Sequence, residues 1–460
     1  MIQGAATALD SLESLLGGAA ARRVVSVTAP VAIPDPSAAV FRARMATDRW
    51  FCWEEPDNGF ALAALGSARE VVSRGARRFA DVAGECTDLL RGRVCDEPNG
   101  LPAGAGPVWA GGFAFDPAGG ASPHWSSFPP ALMVLPELSM MRRDEETLLT
   151  LCVVAGDGAP EAVDRLRGRL AALGAAELPL LDPSPSGASR ISSPAPPAAY
   201  EAAIAAAVGE IEQGRRGKLV LAREVQVQGP AAHDSAAIYG ALRSAFPECF
   251  CFCFGSPEGA FLGASPELLI RRNGATAATV ALAGSTRRSA DPAVDDHLGE
   301  ALLHSAKDRA EHEFVVRRIA RALRPHAVWV EGGKEPGLVK VANIQHLASP
   351  VWGQLAEPRS AVELAGILHP TPAVGGEPPT GALEDIARLE RLDRGWYAGP
   401  VGWMDAAEDG EFCVALRSAL LRDRTAHLFA GAGIVADSDP AAELAETELK
   451  LGAMLPLVTA

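Results

Sequence analysis

Two segments near the C-terminus each present a pair of carboxylates one helical turn apart. In SAKDRAEHEFVVRRIARAL, Asp308 and Glu311 are three residues apart and project from one side of a helix whose other side carries Val315, Val316 and Ile319. A last helix opens at Ser438-Asp439-Pro440, a capping residue followed by a proline that the first turn tolerates. Within it Glu443 and Glu446 repeat the spacing, and Lys450 stands one turn beyond Glu446. Four hard oxygen donors on two helices could hold one Mg²⁺, with water or substrate oxygens completing the octahedron. The alternative is two solvated faces joined by ion pairs at i,i+4, such as Lys307 with Glu311.

Two further residues suit acid–base work. In FLGASPELLI (261–270), Glu267 follows a Ser-Pro turn inside an apolar hairpin, where loss of hydration raises a carboxyl pKa and favours a general acid. An edge-strand glutamate facing water is the competing reading. Lys218 opens the strand KLVLAREVQV and is either a desolvated base or a strand-end lysine reaching solvent. Positive charge here is almost all arginine; the lysines are Lys218, Lys307, Lys334, Lys340 and Lys450. A retained lysine points to a place that needs a compact ammonium whose pKa can move, which arginine does not offer. Arg417 interrupts the apolar run EFCVALRSALL and must meet an anion, from the protein or from a ligand. The glycine-rich pieces ALAGSTR (281–287), HPTPAVGGEP (369–378) and AGAGIV (430–435) lack the strand–turn–helix setting of a nucleotide loop. They fit close approach of backbone N–H groups to an anionic ligand.

The elements that must position these residues read as α+β. Short apolar runs before residue 176, among them WFCWEEPDNGFALAALG and ALMVLPELSMMRRDEETLLTLCVV, suggest antiparallel hairpins, with helices at 67–80 and 160–173. A Pro/Ser/Gly-rich seam spans 176–199. Beyond it, helices are expected at 199–213, 235–245, 296–324 and 439–451. Strands are expected at 218–228, 249–254, 259–271, 327–331, 338–342, 398–404, 411–421 and 426–435. No internal repeat of 20–50 residues is visible. The alternating run Cys249-Phe250-Cys251-Phe252-Cys253-Phe254 reads as a strand; the eight cysteines form no CxxC pair and suit buried, reduced thiols. A net charge of −15 argues against a nucleic-acid partner. No apolar run is long enough for a membrane span. The first twenty residues, with Asp10 and Glu13, do not read as a signal peptide, so the expected compartment is the cytoplasm.

KLVLAR, FLGASPELL, ALAGSTR, SAKDRAEHEFV, VANIQHLAS, HPTPAVGG, RGWYAGPVGW, GEFCVALRSA and AGAGIV…SDP…E..ET..K occur in that order across 218–450. This order resembles the chorismate-utilising superfamily, strongly over the C-terminal 260 residues and more weakly before them through WEEPD, FALAALG and WAGGFAFD. Within it the chain is most similar to the isochorismate synthase branch. Ala373 stands where the salicylate and anthranilate branches carry threonine, and HPTPAVGGEP replaces the PxGTxSGAPK loop of anthranilate synthases.

The resemblance implies a fold of two large packed antiparallel β-sheets with helices on the outside. In it 1–185 contributes strands and helices to the same fold, and 198–460 forms the chorismate-binding catalytic domain. It implies Mg²⁺-dependent, reversible conversion of chorismate to isochorismate, for menaquinone or siderophore biosynthesis. Lys218 matches the base that activates water for attack at C2, and Glu267 the acid that protonates the departing C4 hydroxyl. Glu311 and Glu446 match the Mg²⁺ ligands, with Asp308 and Glu443 as supporting carboxylates. Tyr397 and Arg417, with backbone at Gly431 and Gly433, match the grip on the other carboxylate. Gly284 matches the leaving-group pocket; His346, Ala373 and Lys450 match the pocket lining. No amidotransferase subunit is implied, and a monomer is expected.

Overall fold

In the computed structural model, described for residues 4–182, 187–333, 335–341 and 344–459, two β-sheets stack face to face. Among the described residues one sheet has 13 strands and the other 10, antiparallel but for the pairing of Val24–Val31 with Val94–Asp96. Strands from before and after the proline-rich seam are interleaved in both. Phe250–Ser256 pairs with Trp50–Glu55 in the first sheet, and Pro400–Asp405 with Val108–Phe113 in the second. Part of the seam, 183–186, lies outside the described residues, as does Lys334. No described helix is long and apolar enough to cross a membrane.

Side-chain alternation decides what each face of the first sheet meets. In the Cys249–Phe254 run, Phe252 and Phe254 enter the core between the sheets, with Trp53, Phe113, Phe261, Trp396 and Phe412. Cys249, Cys251 and Cys253 point the other way, under helices Ala5–Gly18, Ala159–Ala172 and Ser235–Ala245, with Leu12, Leu166 and Tyr239. A two-residue period therefore builds two cores from one strand. Burying each such Phe contributes about 1.5–3 kcal/mol. All eight cysteines are free thiols and seven are buried, Cys95 being exposed.

Several expected elements are cut or moved. The expected helix at 67–80 is a strand, Arg69–Ser73, paired with Ala131–Leu135, followed by helix Arg78–Leu90. Gly75 takes φ +78° between them, and sheet pairing overrides the local helical pattern. The expected helix at 296–324 is two helices, Pro292–His304 and Ala306–Leu323. Ser305 ends the first and caps the second by accepting the Asp308 N–H. The expected strand at 259–271 stops at Ser265 in the first sheet and resumes at Leu268 in the second. The run 411–421 likewise divides into Gly410–Val414 in the second sheet and Ser418–Arg422 in the first, turned by Arg417 at φ +46°. Strands Thr276–Arg287 and Ile344–Leu355 were not expected; they pair with each other over most of their length. Glu267 and Arg417 thus sit where the chain crosses between sheets, not inside a hairpin and a strand.

Candidate active site

Every candidate residue named above lines one cavity of about 360 Å³ between the sheet ends and the two carboxylate-bearing helices. Lys218 begins the strand Lys218–Gln228, and its Nζ lies 3.0 Å from Glu311 Oε1. It passes over the backbone of Gly433 on the neighbouring strand, where an added Cβ would stand 2.9 Å from Lys218 Cε. Glycine at 433 is what lets the lysine lie flat there.

Glu267 is 7% exposed. Its backbone N–H donates to Ser265 Oγ (3.2 Å), and Thr371 Oγ1 donates to its Oε1 (3.2 Å). Burial pushes its carboxyl up to about 7, against the opposing pull of the Thr371 hydrogen bond and the Lys218 charge. A carboxyl with that value holds or yields a proton near neutral pH.

Cations and one neutral imidazole also line the cavity. Arg417 is held below its ordinary pKa by burial, and its Nη1 has no hydrogen-bond partner among the described residues. Arg417 lines the cavity, and a buried guanidinium there is a ready partner for a carboxylate. Burial, helped by Arg417 and Lys450, pushes His346 down to about 3, so its ring is neutral. Tyr397 stacks on Phe429, with centroids 5.2 Å apart, and burial raises its phenol. Lys450 donates to Gly431 O (2.9 Å) and pairs with Glu446 (2.7 Å). Gly284 takes φ +74° at an irregularity in the strand pairing, and a Cβ there would stand 3.1 Å from Asp308 Cβ.

The carboxylate helices meet the cavity through Asp308 and Glu311 on one side and Glu443 and Glu446 on the other. Lys307 pairs with Asp437 at 3.1 Å, not with Glu311, so the ion pair suggested by helical spacing is not the one formed. Glu443 accepts from Ser438 Oγ (2.7 Å), and its carboxyl is pushed up by burial and by Glu446 beside it. Four carboxylates from two helices lining one cavity are the kind of donor a hard divalent cation takes. Among the described residues no three of them are drawn to within metal-ligand spacing of one another. The one group that is, His124 with Glu224 and His427, stacks its imidazoles at 4.5 Å with a 15° interplanar angle. A single ion cannot lie in the plane of both rings as they stand.

Two contributors were not anticipated. Thr371 belongs to HPTPAVGG, but only its contact with Glu267 reveals a use for it. Arg394, within RGWYAGPVGW, forms a buried pair with Glu390 and donates to Val220 O (2.8 Å) and Val374 O (3.0 Å). Glu390 in turn accepts from Ala222 N–H (2.6 Å), and Val220 N–H donates to Gly375 O (2.8 Å). The strand carrying Lys218 pairs with Thr425–Ile434 along one edge and, at the ends of the other, with Gly376–Glu377 and Arg190–Ser192; between them, at Val220 and Ala222, a loop and an ion pair satisfy it.

Known proteins are similar to this chain in sequence and fold. Residues 11–459 match the family model described as chorismate binding enzyme. A salicylate biosynthesis isochorismate synthase of Pseudomonas aeruginosa is 39% identical over 415 residues, 89% of this chain and 84% of that protein. The isochorismate synthase MenF of Bacillus subtilis is 32% identical over 421 residues, covering 90% and 89%. Among solved structures, the menaquinone-specific isochorismate synthase MenF of Escherichia coli superposes with a TM-score of 0.80 at 26% identity, covering 98% of this chain and 99% of that one. Anthranilate synthase component I of Streptococcus pneumoniae, at 20% identity and TM-score 0.67 over 86% of this chain and 92% of that one, shares the fold.

Proposed function

The chain belongs to the chorismate-binding enzyme family, and from that premise we propose that it is an isochorismate synthase, interconverting chorismate and isochorismate. The observation that carries this reading is the convergence on one cavity of a protonatable carboxyl, a lysine, a buried arginine and four carboxylates.

In the forward direction Lys218 takes a proton from a water that bonds to C2, the ring double bonds shift, and the C4 hydroxyl leaves as water with the proton of Glu267. One water enters and one departs, so the product is an isomer. To act as the base Lys218 must leave its pair with Glu311 and give up its own proton beforehand. Afterwards Lys218 holds a proton and Glu267 lacks one, which is the starting arrangement for the reverse reaction. Arg417 and Tyr397 hold one substrate carboxylate, with backbone at Gly431 and Gly433 beside them, while Gly284 and neutral His346 shape the wall near the leaving group. Glu311 and Glu446 would hold Mg²⁺, with Asp308 and Glu443 supporting its waters. When bound, the ion neutralises the ring carboxylate as a Lewis acid. Ala373 keeps the wall small where a threonine would place a hydroxyl. We propose that the protein works without an amidotransferase subunit and as a monomer.

Purified protein incubated with chorismate, with and without Mg²⁺, tests this by chromatography of the products. A Mg²⁺-dependent equilibrium mixture of chorismate and isochorismate is expected. Salicylate with pyruvate, or an aminated product formed only with ammonia, would overturn the assignment while keeping the family.

A further inference from the structure

Thr371 supplies, among the described residues, the one side-chain hydrogen bond to the Glu267 carboxyl, and the reaction written above gives it no part. Resting on that reading, we propose that Thr371 is a positioning residue for the acid: by donating to Oε1 it leaves the transferable proton on Oε2 and ties Glu267 to the turn that carries Ala373.

The threonine is itself immobilised. It is 7% exposed, and its carbonyl accepts from Val374 N–H (3.1 Å) and Gly375 N–H (2.9 Å), closing the turn around Ala373. That turn is pinned to the strand of Lys218 by the bond from Val220 N–H to Gly375 O (2.8 Å), and to Arg394 through Val374 O (3.0 Å). Acid, base strand and substrate wall therefore share one hydrogen-bonded chain in which Thr371 is the link to the acid. A carboxyl oxygen that accepts the threonine proton is the poorer place for the acid's own proton, so the other oxygen carries it. Once the proton is given up, the same bond stabilises the carboxylate, which favours release of the proton in the forward direction.

The charges facing Glu267 are few. Lys218 acts on it across the cavity, and the buried Cys413 thiol lies on the adjoining strand Gly410–Val414. Arg417 and His346 line the same cavity. On Thr371's own segment His369 bonds to Phe115 O (2.9 Å) and is neutral, pushed down to about 3 by burial. The hydroxyl is thus a neutral influence that lowers the pKa against burial.

The test compares Thr371→Val, which keeps the shape and removes the donor, with Thr371→Ser, which keeps the donor. Two readouts are taken: the pH dependence of kcat and KM, and the infrared titration of the Glu267 carboxyl in the free protein, assigned by its loss in Glu267→Gln. Thr371→Val is expected to lower kcat about 10–100-fold with KM little changed, and to move the titration of Glu267 up by about one to two pH units. Thr371→Ser restores both. An unchanged kcat and titration in Thr371→Val, or a loss confined to KM, would overturn the proposal. So would a serine variant as impaired as the valine one. Thr371→Ala, read the same way, serves if the valine variant does not fold. If the wild type leaves chorismate untouched, the functional reading fails, and the infrared titration still decides whether Thr371 sets the state of Glu267.

Discussion

At Pro136-Glu137 and again at Pro266-Glu267 the chain leaves one sheet for the other in the same manner. Ala131–Leu135 gives way to Leu138–Arg143, and Gly259–Ser265 to Leu268–Asn273, each followed by a hairpin and then a helix. Both glutamates are buried, and both backbone carbonyls accept from a strand N–H, that of Cys152 (2.9 Å) and that of Val414 (3.0 Å). Their surroundings differ. Helix Ala159–Ala172, after the first crossover, supplies Arg165 and Arg169, and both guanidinium groups bond to Glu137. The helices after the second supply Asp308 and Glu311, which face the cavity, and Glu267 receives a threonine hydroxyl. One backbone device thus buries a carboxyl twice; arginine makes one copy an ion pair, and without it burial pushes the other up to about 7.

The sharpest separation is in turnover. Glu267→Gln and Lys218→Ala should each lower kcat by about a thousandfold or more with the fold retained, whereas Glu137→Gln should leave kcat per folded molecule within about threefold. Steady-state kinetics with circular dichroism checks this; near-normal activity in either of the first two would remove that residue from the reaction.

Stability should separate the pair in opposite directions. The folded-state value of Glu267, about 7 against 4.5 for the ordinary carboxyl, means that folding favours the protonated form. Stability is lost as pH rises from about 4.5 to 7, so Glu267→Gln should be more stable than wild type by about 3 kcal/mol above pH 7 and equal to it below about pH 4.5. Glu137→Gln should instead cost roughly 2–3 kcal/mol, because Arg169, 3% exposed, would keep only its Asp48 partner at 2.6 Å. Urea melts at several pH values measure both. The smallest expected effect is at the turn linked to the second crossover: Ala373→Thr should add a minor path to salicylate, and an unchanged product profile would count against the branch assignment.

Much of this comparison lies beyond what local sequence displays. Strands such as Lys218–Gln228 and Phe250–Ser256 were legible because one face is apolar along their length and pairs with a packed sheet. Thr276–Arg287 was not, because its alanines, threonines and glycine carry little hydrophobic signal, and its strand character comes from pairing with Ile344–Leu355. The break at Arg417 was hidden by apolar residues on both sides of it. The candidate site residues were legible as ordered motifs. Thr371 meets Glu267 from 104 positions away, and Arg394, besides its i,i+4 pair with Glu390, meets Val220 from 174 positions away, where neither spacing nor propensity reaches.

The gap at Val220 and Ala222 in the strand pairing beside Lys218 has one more consequence. Amide protons inside a full sheet exchange with solvent only when paired strands separate together. The Ala222 amide is guarded by a single carboxylate, that of Glu390, which Arg394 holds in place. Loss of that ion pair exposes the amide without unzipping the ladder to Thr425–Ile434. Isotope exchange at this one peptide therefore follows the local opening of the wall behind the lysine, while its neighbours on the ladder follow unfolding of the sheet.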